Sequence, residues 1–505
     1  MQLVDEIIRA IVYVYGIITL YKVAILLIGL FLPRKRFPKS EKQHRFAIMI
    51  CARNEATVIK QLIDSLKKQD YPRELLSIFV CAHNCSDDTA KTAKEAGAVV
   101  FELNDNKHRK AYALDHMLKE IDREHGGISS FDGFFHFDAD NVVDKNFVAE
   151  MNNVFAKPEF DMFTGMRCMK NFDDTIVSGY SAVQWYGIMG RRDRPYAILG
   201  LTMPINGTGM LIRSHILARG WRWMGISEDS EISLDMIARG VRGTYCQDAK
   251  LFDEQPVGLR ILLRQKMRWA RGNVVAYIKY LPHLILGLFA PYRQPKKSNS
   301  ISTPPQKNSE TGQKATLATT EQRLAFVSLD SEDLSEDVAS QEGRTSSAAE
   351  SEIKARRPWW KPPLSDVQKR FSVLDSLISF TPVWMLSFIL AILYPIGAFI
   401  YWLAVPEHGL SPMVINFMFW FASFYLWHCL YNMVAIIREN GDIRLQPKYK
   451  TLIHFTLWPF VQLIIDFAQF FAVFWPVKWK PIPRKVYKTI EDVCAEPTLK
   501  DTIVK

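Results

Sequence analysis

Apolar runs at both ends of the sequence constrain this chain most. Residues Ile7 to Leu32 are almost all apolar, interrupted only by Arg9 and Lys22. Crossing about 30 Å of hydrocarbon takes about 20 apolar residues, so the run is long enough to span a bilayer. It reads as a span rather than a secretory leader, because Asp5 and Glu6 stand where a leader carries its basic head. A buried helix in a large core is the alternative use of such a run. Pro33-Arg34-Lys35-Arg36 follows directly, and the positive-inside bias places the next domain in the cytoplasm. Three more candidate spans lie toward the C-terminus: Phe380 to Leu403, Met413 to Ile437, and Leu452 to Val477. A full third crossing there would leave Lys478, Lys480, Arg484 and Lys485 outside, against the charge bias. A bent element at Pro459 is the other arrangement, giving about four spans in all.

Between these ends the sequence is ordinary globular material, and 505 residues leave room for one or two sizeable domains. Lys and Arg number 63 against 53 Asp and Glu, a formal charge of +10. Much of the excess borders apolar segments. It therefore points to an anionic leaflet or to phosphate before it points to nucleic acid, for which no zinc spacing or aromatic-basic strand pair is present. The seven cysteines form no regular framework and read as mostly reduced thiols. The chain divides into an N-terminal transmembrane helix (1–35), a catalytic domain (45–272) and amphipathic interface helices (273–295). After these come a disordered cytoplasmic insertion (296–357), interface and transmembrane helices (358–477), and a basic tail (478–505). The insertion is rich in Ser, Thr, Gln, Glu and Pro, too polar to offset the entropy of ordering.

Strand-like and helix-like pieces alternate from Phe46 onward. Phe46–Ile50, Ser77–Cys81, Ala98–Phe101 and Phe134–Phe137 are short apolar runs. Val58, Leu62 and Leu66 mark one helix face, Ser86 or Asp87 caps a second helix, and Lys110 to Ile121 forms a third. Such alternation predicts an α/β domain with a mostly parallel sheet, whose ligands bind beyond the carboxyl ends of the strands. The polar clusters fall at those ends. Neither a GxGxxG nor a Walker loop is present, so dinucleotide and P-loop readings lose their main support.

Asp138-Ala139-Asp140 ends one predicted strand. Two carboxylates so placed can face a hard divalent cation and leave positions for phosphate oxygens, although a lone DxD equally describes a solvated turn. Ser227-Glu228-Asp229 opens a predicted helix that also carries Glu231 and Asp235. Acids there suit the helix dipole, and one of them, Asp229, is the candidate base for a sugar hydroxyl. Gln265-Lys266-Met267-Arg268-Trp269 combines a phosphate grip, an amide and a flat aromatic face, or else forms a basic helix on the bilayer. Asn206-Gly207-Thr208-Gly209 offers a turn that permits close approach of backbone to ligand.

Taken in order, Asn54-Glu55, Cys85-Ser86-Asp87-Asp88, Lys110, Asp138-Ala139-Asp140, Glu228-Asp229 and Gln265 with Arg268-Trp269 resemble the membrane-embedded glycosyltransferases of family 2. That group contains the cellulose, hyaluronan and chitin synthases. The resemblance implies a GT-A-type, Rossmann-like cytosolic domain with interface helices and transmembrane segments. It implies donor-binding roles for Glu55, Asp87, Lys110, Asp138, Asp140, Gln265 and Arg268, with Asp140 as ligand to Mg2+ or Mn2+. Catalysis would fall to Asp229 with Glu228, and Trp269 would lie beneath the acceptor sugar. The implied partners are a UDP-sugar, a growing glycan or lipid-linked acceptor, and membrane lipids.

The chain departs from the family pattern at Ser227, where threonine is usual, and at His83, where aspartate is common. Phe371-Ser372-Val373-Leu374 matches the synthases' gating segment only in part. The expected function is a processive synthase polymerising UDP-glucose into a capsular or extracellular β-glycan at the plasma membrane. Under that reading Asp466 faces either a glycan path or a neighbouring span. The alternatives are a non-processive transferase acting on a lipid-linked acceptor, and a transporter or scaffold with an inactive domain.

Overall fold

The computed structural model describes residues 2–172, 174–290, 364–380, 448–474 and 486–494, with isolated positions between 399 and 437. The insertion expected at 296–357, most of the expected span at 380–403, over half of that at 413–437 and much of the basic tail lie outside the described residues.

Eight strands form one sheet in the order β3-β2-β1-β4-β7-β6-β8-β5. They are β1 (Phe46–Ala52), β2 (Leu76–His83), β3 (Val99–Leu103), β4 (Gly133–Asp138), β5 (Val142–Val143), β6 (Met162–Met169), β7 (Met210–Arg213) and β8 (Gly243–Asp253). The helices follow as α1 (Gln2–Phe31), α2 (Ile59–Lys67), α3 (Thr89–Glu95), α4 (Lys110–Glu124), α5 (Phe147–Phe155), α6 (Ile176–Ile188), α7 (Arg194–Leu199) and α8 (Ser214–Leu217). After them come α9 (Glu228–Ala238), α10 (Leu259–Phe289), α11 (Leu364–Phe380) and α12 (Lys448–Phe474).

Side chains alternate across β1, and both faces are covered. Phe46, Ile48, Ile50 and Ala52 join Ile59, Leu62, Ile63 and Leu66 of α2 and the apolar residues of α5. Ala47 and Met49 point the other way, into Ala113, Leu114, Met117 and Leu118 of α4, with Ile232 of α9 and Ala276 of α10. Burial on both faces is why these strands read as continuous apolar runs rather than alternating ones. The four strands expected from the sequence are all present and mutually parallel. This is the Rossmann-like, GT-A-type α/β architecture that the resemblance implies.

β6, β7 and β8 extend the sheet beyond the sequence expectation. β7 runs antiparallel to both β4 and β6, while β6 and β8 are parallel. Consequently β1, β2, β4, β6 and β8 all end on one edge, and β7 begins there.

A third core forms around β6, β8 and α6, and takes in Trp458 and Ile465 of α12 and Ile25 of α1. α10 is one continuous helix of 31 residues, so the border expected at 272/273 falls inside it. Two helices, Leu259–Phe289 and Leu452–Phe474, are long and apolar enough to cross a membrane, and Gly16–Phe31 is a shorter apolar helix. Asp466 accepts from Gln462 Nε2 on its own helix at 2.6 Å, and Gln462 Oε1 in turn accepts from Tyr180 Oη at 2.5 Å. Trp458 stacks on Tyr180 beside them. The hydrogen-bond partner of Asp466 is thus on its own helix rather than on a neighbouring span.

Candidate active site

The common strand edge opens into a cleft of about 820 Å³. Glu55, Lys110, Asp138, Asp140, Glu228, Asp229, Gln265, Arg268 and Trp269 all line it. They arrive from positions spread over more than 200 residues because the acids and Lys110 sit at strand ends or helix starts, while Gln265, Arg268 and Trp269 lie on the early turns of α10. Glu55 follows β1, in a loop where Asn54 takes a left-handed φ of 58°. Asparagine tolerates that conformation better than most residues. Asn54 also turns its Oδ1 to accept from the Ser86 amide at 2.8 Å, tying the β1 and β2 loops together.

Asp87 stands apart from the other expected donor ligands. Its carboxylate accepts from the Ala56 amide at 3.2 Å and from the Thr89 amide at 3.1 Å, so it braces the Glu55 loop and the start of α3. It is not among the residues lining the cleft. His83 does line it, with Nε2 3.0 Å from Asp105 Oδ1.

Lys110, the first residue of α4, organises the centre. Its Nζ lies 3.1 Å from Asp138 Oδ1, 2.9 Å from Glu228 Oε1 and 3.0 Å from the Gly207 carbonyl. Burial alone would raise the Asp138 carboxyl, but Lys110, helped by His136 and Arg167, holds it at about 2. The neighbouring acid behaves in the opposite way. Burial, and then the Glu228 charge, push Asp229 up to about 6, with Lys110 only partly offsetting them. Two carboxylates of one cleft are thus separated into a permanent anion and a group that can exchange a proton near neutrality.

The Asn206–Gly209 turn reaches this centre through the antiparallel pairing of β7. Thr208 Oγ1 accepts from the Asp138 amide at 2.9 Å, and the Gly209 amide donates to the His136 carbonyl at 2.9 Å. A Cβ on Gly207 would come within 2.9 Å of Asp229 Oδ2, so glycine there leaves room for the acid.

The first half of α10 closes the cleft. Gly272 packs against Ser227, and a Cβ at that position would collide with the serine hydroxyl. Trp269 meets Trp185 of α6 edge to face, with centroids 5.8 Å apart. Lys266 Nζ sits 4.4 Å from the Trp269 ring centre and donates to Gln184 Oε1 at 2.5 Å. Arg167 at the end of β6 is paired with Asp253 at the end of β8 and lies 4.1 Å from the Trp185 ring centre. Sequence reasoning missed Arg167, Gln184, Trp185, Arg192 and Asp253 as cleft residues. β6 and β8 are buried along nearly their whole length rather than alternately, so no period-two pattern marked Arg167 and Asp253 near their ends. Phe371–Leu374 lies within α11, where Ser372 Oγ accepts from the Thr202 amide at 2.9 Å.

Among the described residues, no group of three His, Cys, Asp or Glu side chains is placed to hold a metal ion. Asp140 is buried beside the cleft, and Asp138 is bound by Lys110. One or two carboxylates without an all-protein cage is how Mg2+ is held when it shares its coordination with substrate phosphates. These residues fit a cation that arrives with a diphosphate.

The family model "Glycosyltransferase like family 2" matches residues 44–272, which cover this cleft from β1 to the Trp269 segment. Residues 44–272 are thus similar to a family 2-like glycosyltransferase domain. The chain is 25% identical over 251 residues to the probable glycosyltransferase YdaM of Bacillus subtilis, covering 47% of this chain and 57% of that protein. It is 26% identical over 232 residues to the poly-β-1,6-N-acetyl-D-glucosamine synthase of Staphylococcus aureus, covering 45% and 53%. The chain therefore spans just over half the length of the curated relatives it matches. Among solved structures, a mannosyltransferase of Pyrobaculum calidifontis in complex with GDP-mannose and Mn2+ aligns with a TM-score of 0.43 and 19% identity. That alignment covers 54% of this chain and 74% of the other.

Proposed function

We propose that the cleft transfers a sugar from a nucleotide sugar to an acceptor hydroxyl with inversion at the anomeric carbon. The observation that carries this reading is the divergence of two acids in one cleft, Asp138 held anionic at about 2 and Asp229 raised to about 6. Asp229 takes the proton of the acceptor hydroxyl as its oxygen bonds to the anomeric carbon. The bond from that carbon to the diphosphate oxygen breaks, and the nucleoside diphosphate leaves with the electron pair. Arg268 and Lys110 face the charge that develops on the leaving group, and Trp269 gives the acceptor sugar a flat apolar surface. Asp140, with Asp138 beside it, would hold Mg2+ or Mn2+ together with the donor's phosphates. The ion would supply neutralisation of the leaving diphosphate.

A lipid-linked acceptor receiving a single sugar is the reading we favour for the acceptor. Phe380, Ser379 and Gln469, from the helices α11 and α12, line the same cleft as the acids. This places apolar helices at one end of the site. The second reading is a processive synthase building a β-glycan at the plasma membrane, with UDP-glucose as donor. It is supported by the name of the staphylococcal relative and by the Gln265-Arg268-Trp269 motif.

Membranes incubated with individual radiolabelled UDP-sugars and Mg2+ or Mn2+ test both readings. Release of UDP with one sugar added to a lipid fraction supports the first, and high-molecular-weight polymer supports the second. Turnover that persists in excess chelator would remove the metal from the proposal. Absence of turnover with every nucleotide sugar would remove the transferase reading.

A further inference from the structure

Lys266 is an amine that the transfer chemistry leaves unused, and burial, with Arg167 nearby, lowers its pKa to about 7. It lines the cleft, yet only 4% of its surface is exposed. Among the described residues no carboxylate lies within 4.0 Å of its ammonium, and its single hydrogen-bond acceptor is Gln184 Oε1 at 2.5 Å. Asp253, across the cleft, is engaged by Arg167 and by Gln255 Nε2 at 2.9 Å. The faces of Trp269 and Trp185 stand 4.4 and 5.9 Å away and favour a cation between them. Rings and one amide do not replace the hydration of an ammonium. A buried charge of this kind calls for an opposite charge.

Its position says where such an anion would belong. Gln469 of α12 donates to the Lys266 carbonyl at 3.4 Å, and beyond Gly272 helix α10 becomes the apolar stretch long enough to cross a membrane. Trp269 and Trp185 stand beside the Lys266 side chain, and α12 meets its backbone. A sugar joined to a lipid through a phosphate ester would bridge these two surroundings and bring an anion to Lys266.

We propose that Lys266 binds the phosphate of an amphiphilic acceptor where the cleft meets the apolar helices. This rests on reading the cleft as a transferase with a lipid-linked acceptor. It adds the chemical group by which that acceptor is selected.

Binding of dodecyl phosphate, dodecyl β-glucoside and inorganic phosphate to the purified full chain in maltoside micelles tests the proposal, with UDP binding as the check on folding. Dodecyl phosphate should bind on the order of tenfold more tightly than dodecyl β-glucoside, the worth of a charge-assisted hydrogen bond. Lys266→Met should abolish that preference, and Lys266→Arg should keep it. Gln184→Glu, which gives the ammonium a carboxylate of the same size as the amide, should abolish it independently.

Equal binding of the two amphiphiles, or a preference that survives Lys266→Met, overturns the proposal. Inorganic phosphate binding as tightly as dodecyl phosphate overturns the lipid assignment in favour of free phosphate. A chain that keeps the preference but transfers no sugar from any nucleotide sugar upholds the anion site and removes the transferase reading. Transfer without the preference does the reverse.

Discussion

Lys110 is held by Asp138 and Glu228 together, so removing its charge leaves two carboxylates facing each other in one cleft. Lys110→Met should destabilise the fold by about 2–3 kcal/mol, at the low end for a broken buried pair because Asp138 keeps part of its surface in solvent. Thermal unfolding at pH 7 and pH 4 checks this. Asp138 is depressed to about 2, so the stability its pairing provides is complete above the ordinary carboxylate range, near pH 4, and fades as pH falls toward 2. The deficit of the variant should therefore shrink in acid, where its carboxylates protonate. As the proposed base, Asp229 should govern transfer by a separate titration. Because it sits at about 6 and acts as a base, kcat/KM should fall about tenfold for each pH unit below 6. Asp229→Asn should lower kcat by roughly a hundred- to ten-thousand-fold while donor binding, measured by calorimetry with UDP, stays within a fewfold of wild type. An acid limb that stays in place in Asp229→Glu, despite the altered side-chain environment, would assign that titration to another group.

At the level of elements, α10 does two things along its 31 residues. Its first turns carry Gln265, Lys266, Arg268 and Trp269 into the cleft, and its later turns pack Ala276, Tyr280 and Leu284 against the core shared with α4 and α9. The crossing with the start of α9 is close because Gly272 faces Ser227. Gly272→Ala should push the helices apart at a cost of about 1–3 kcal/mol, read by thermal unfolding. It should also lower transfer more than UDP binding, since Asp229 opens α9 and Trp269 lies one turn away on α10. The antiparallel strand β7 has a comparable influence. Its direction brings Thr208 to the Asp138 amide and Gly207 to Asp229, whereas a parallel strand would carry that turn to the opposite edge of the sheet.

For the whole molecule, the N-terminal helix is tied to the catalytic cleft through one acid. Asp375 of α11 lines the cleft, receives Lys22 Nζ at 2.6 Å and Tyr21 Oη at 2.8 Å, and is almost fully buried. Lys22→Met should cost about 2 kcal/mol, because it leaves that carboxylate with only hydroxyl partners. Adding Asp375→Asn should recover most of the loss in a double-mutant cycle, since the buried charge is then gone. Additive effects would mean that the two side chains act independently. The polar face of α12 belongs to the same scale. Gln462 donates to Asp466 and accepts from Tyr180, so that helix is seated against α6 by a polar contact as well as by Trp458.

The sequence by itself determined the alternation of β1 to β4 with their helices, because burial on both faces makes each strand a short apolar run bounded by polar turns. It also marked nine of the residues that meet in the cleft, since the acids and Lys110 sit at strand ends or helix starts and Gln265, Arg268 and Trp269 form one motif. It did not reveal that β7, β6 and β8 continue the sheet beyond β4. Their pairing depends on contacts between segments far apart in the chain, and local pattern carries no record of strand order. For the same reason it placed Asp87 at the ligand, whereas backbone amides of its own and the adjoining loop take up that carboxylate. Only the tertiary structure decided that Asp138 and Asp229, chemically identical side chains, differ in proton affinity. That difference comes from the distance to one lysine and the exclusion of water, and both are properties of the packed cleft.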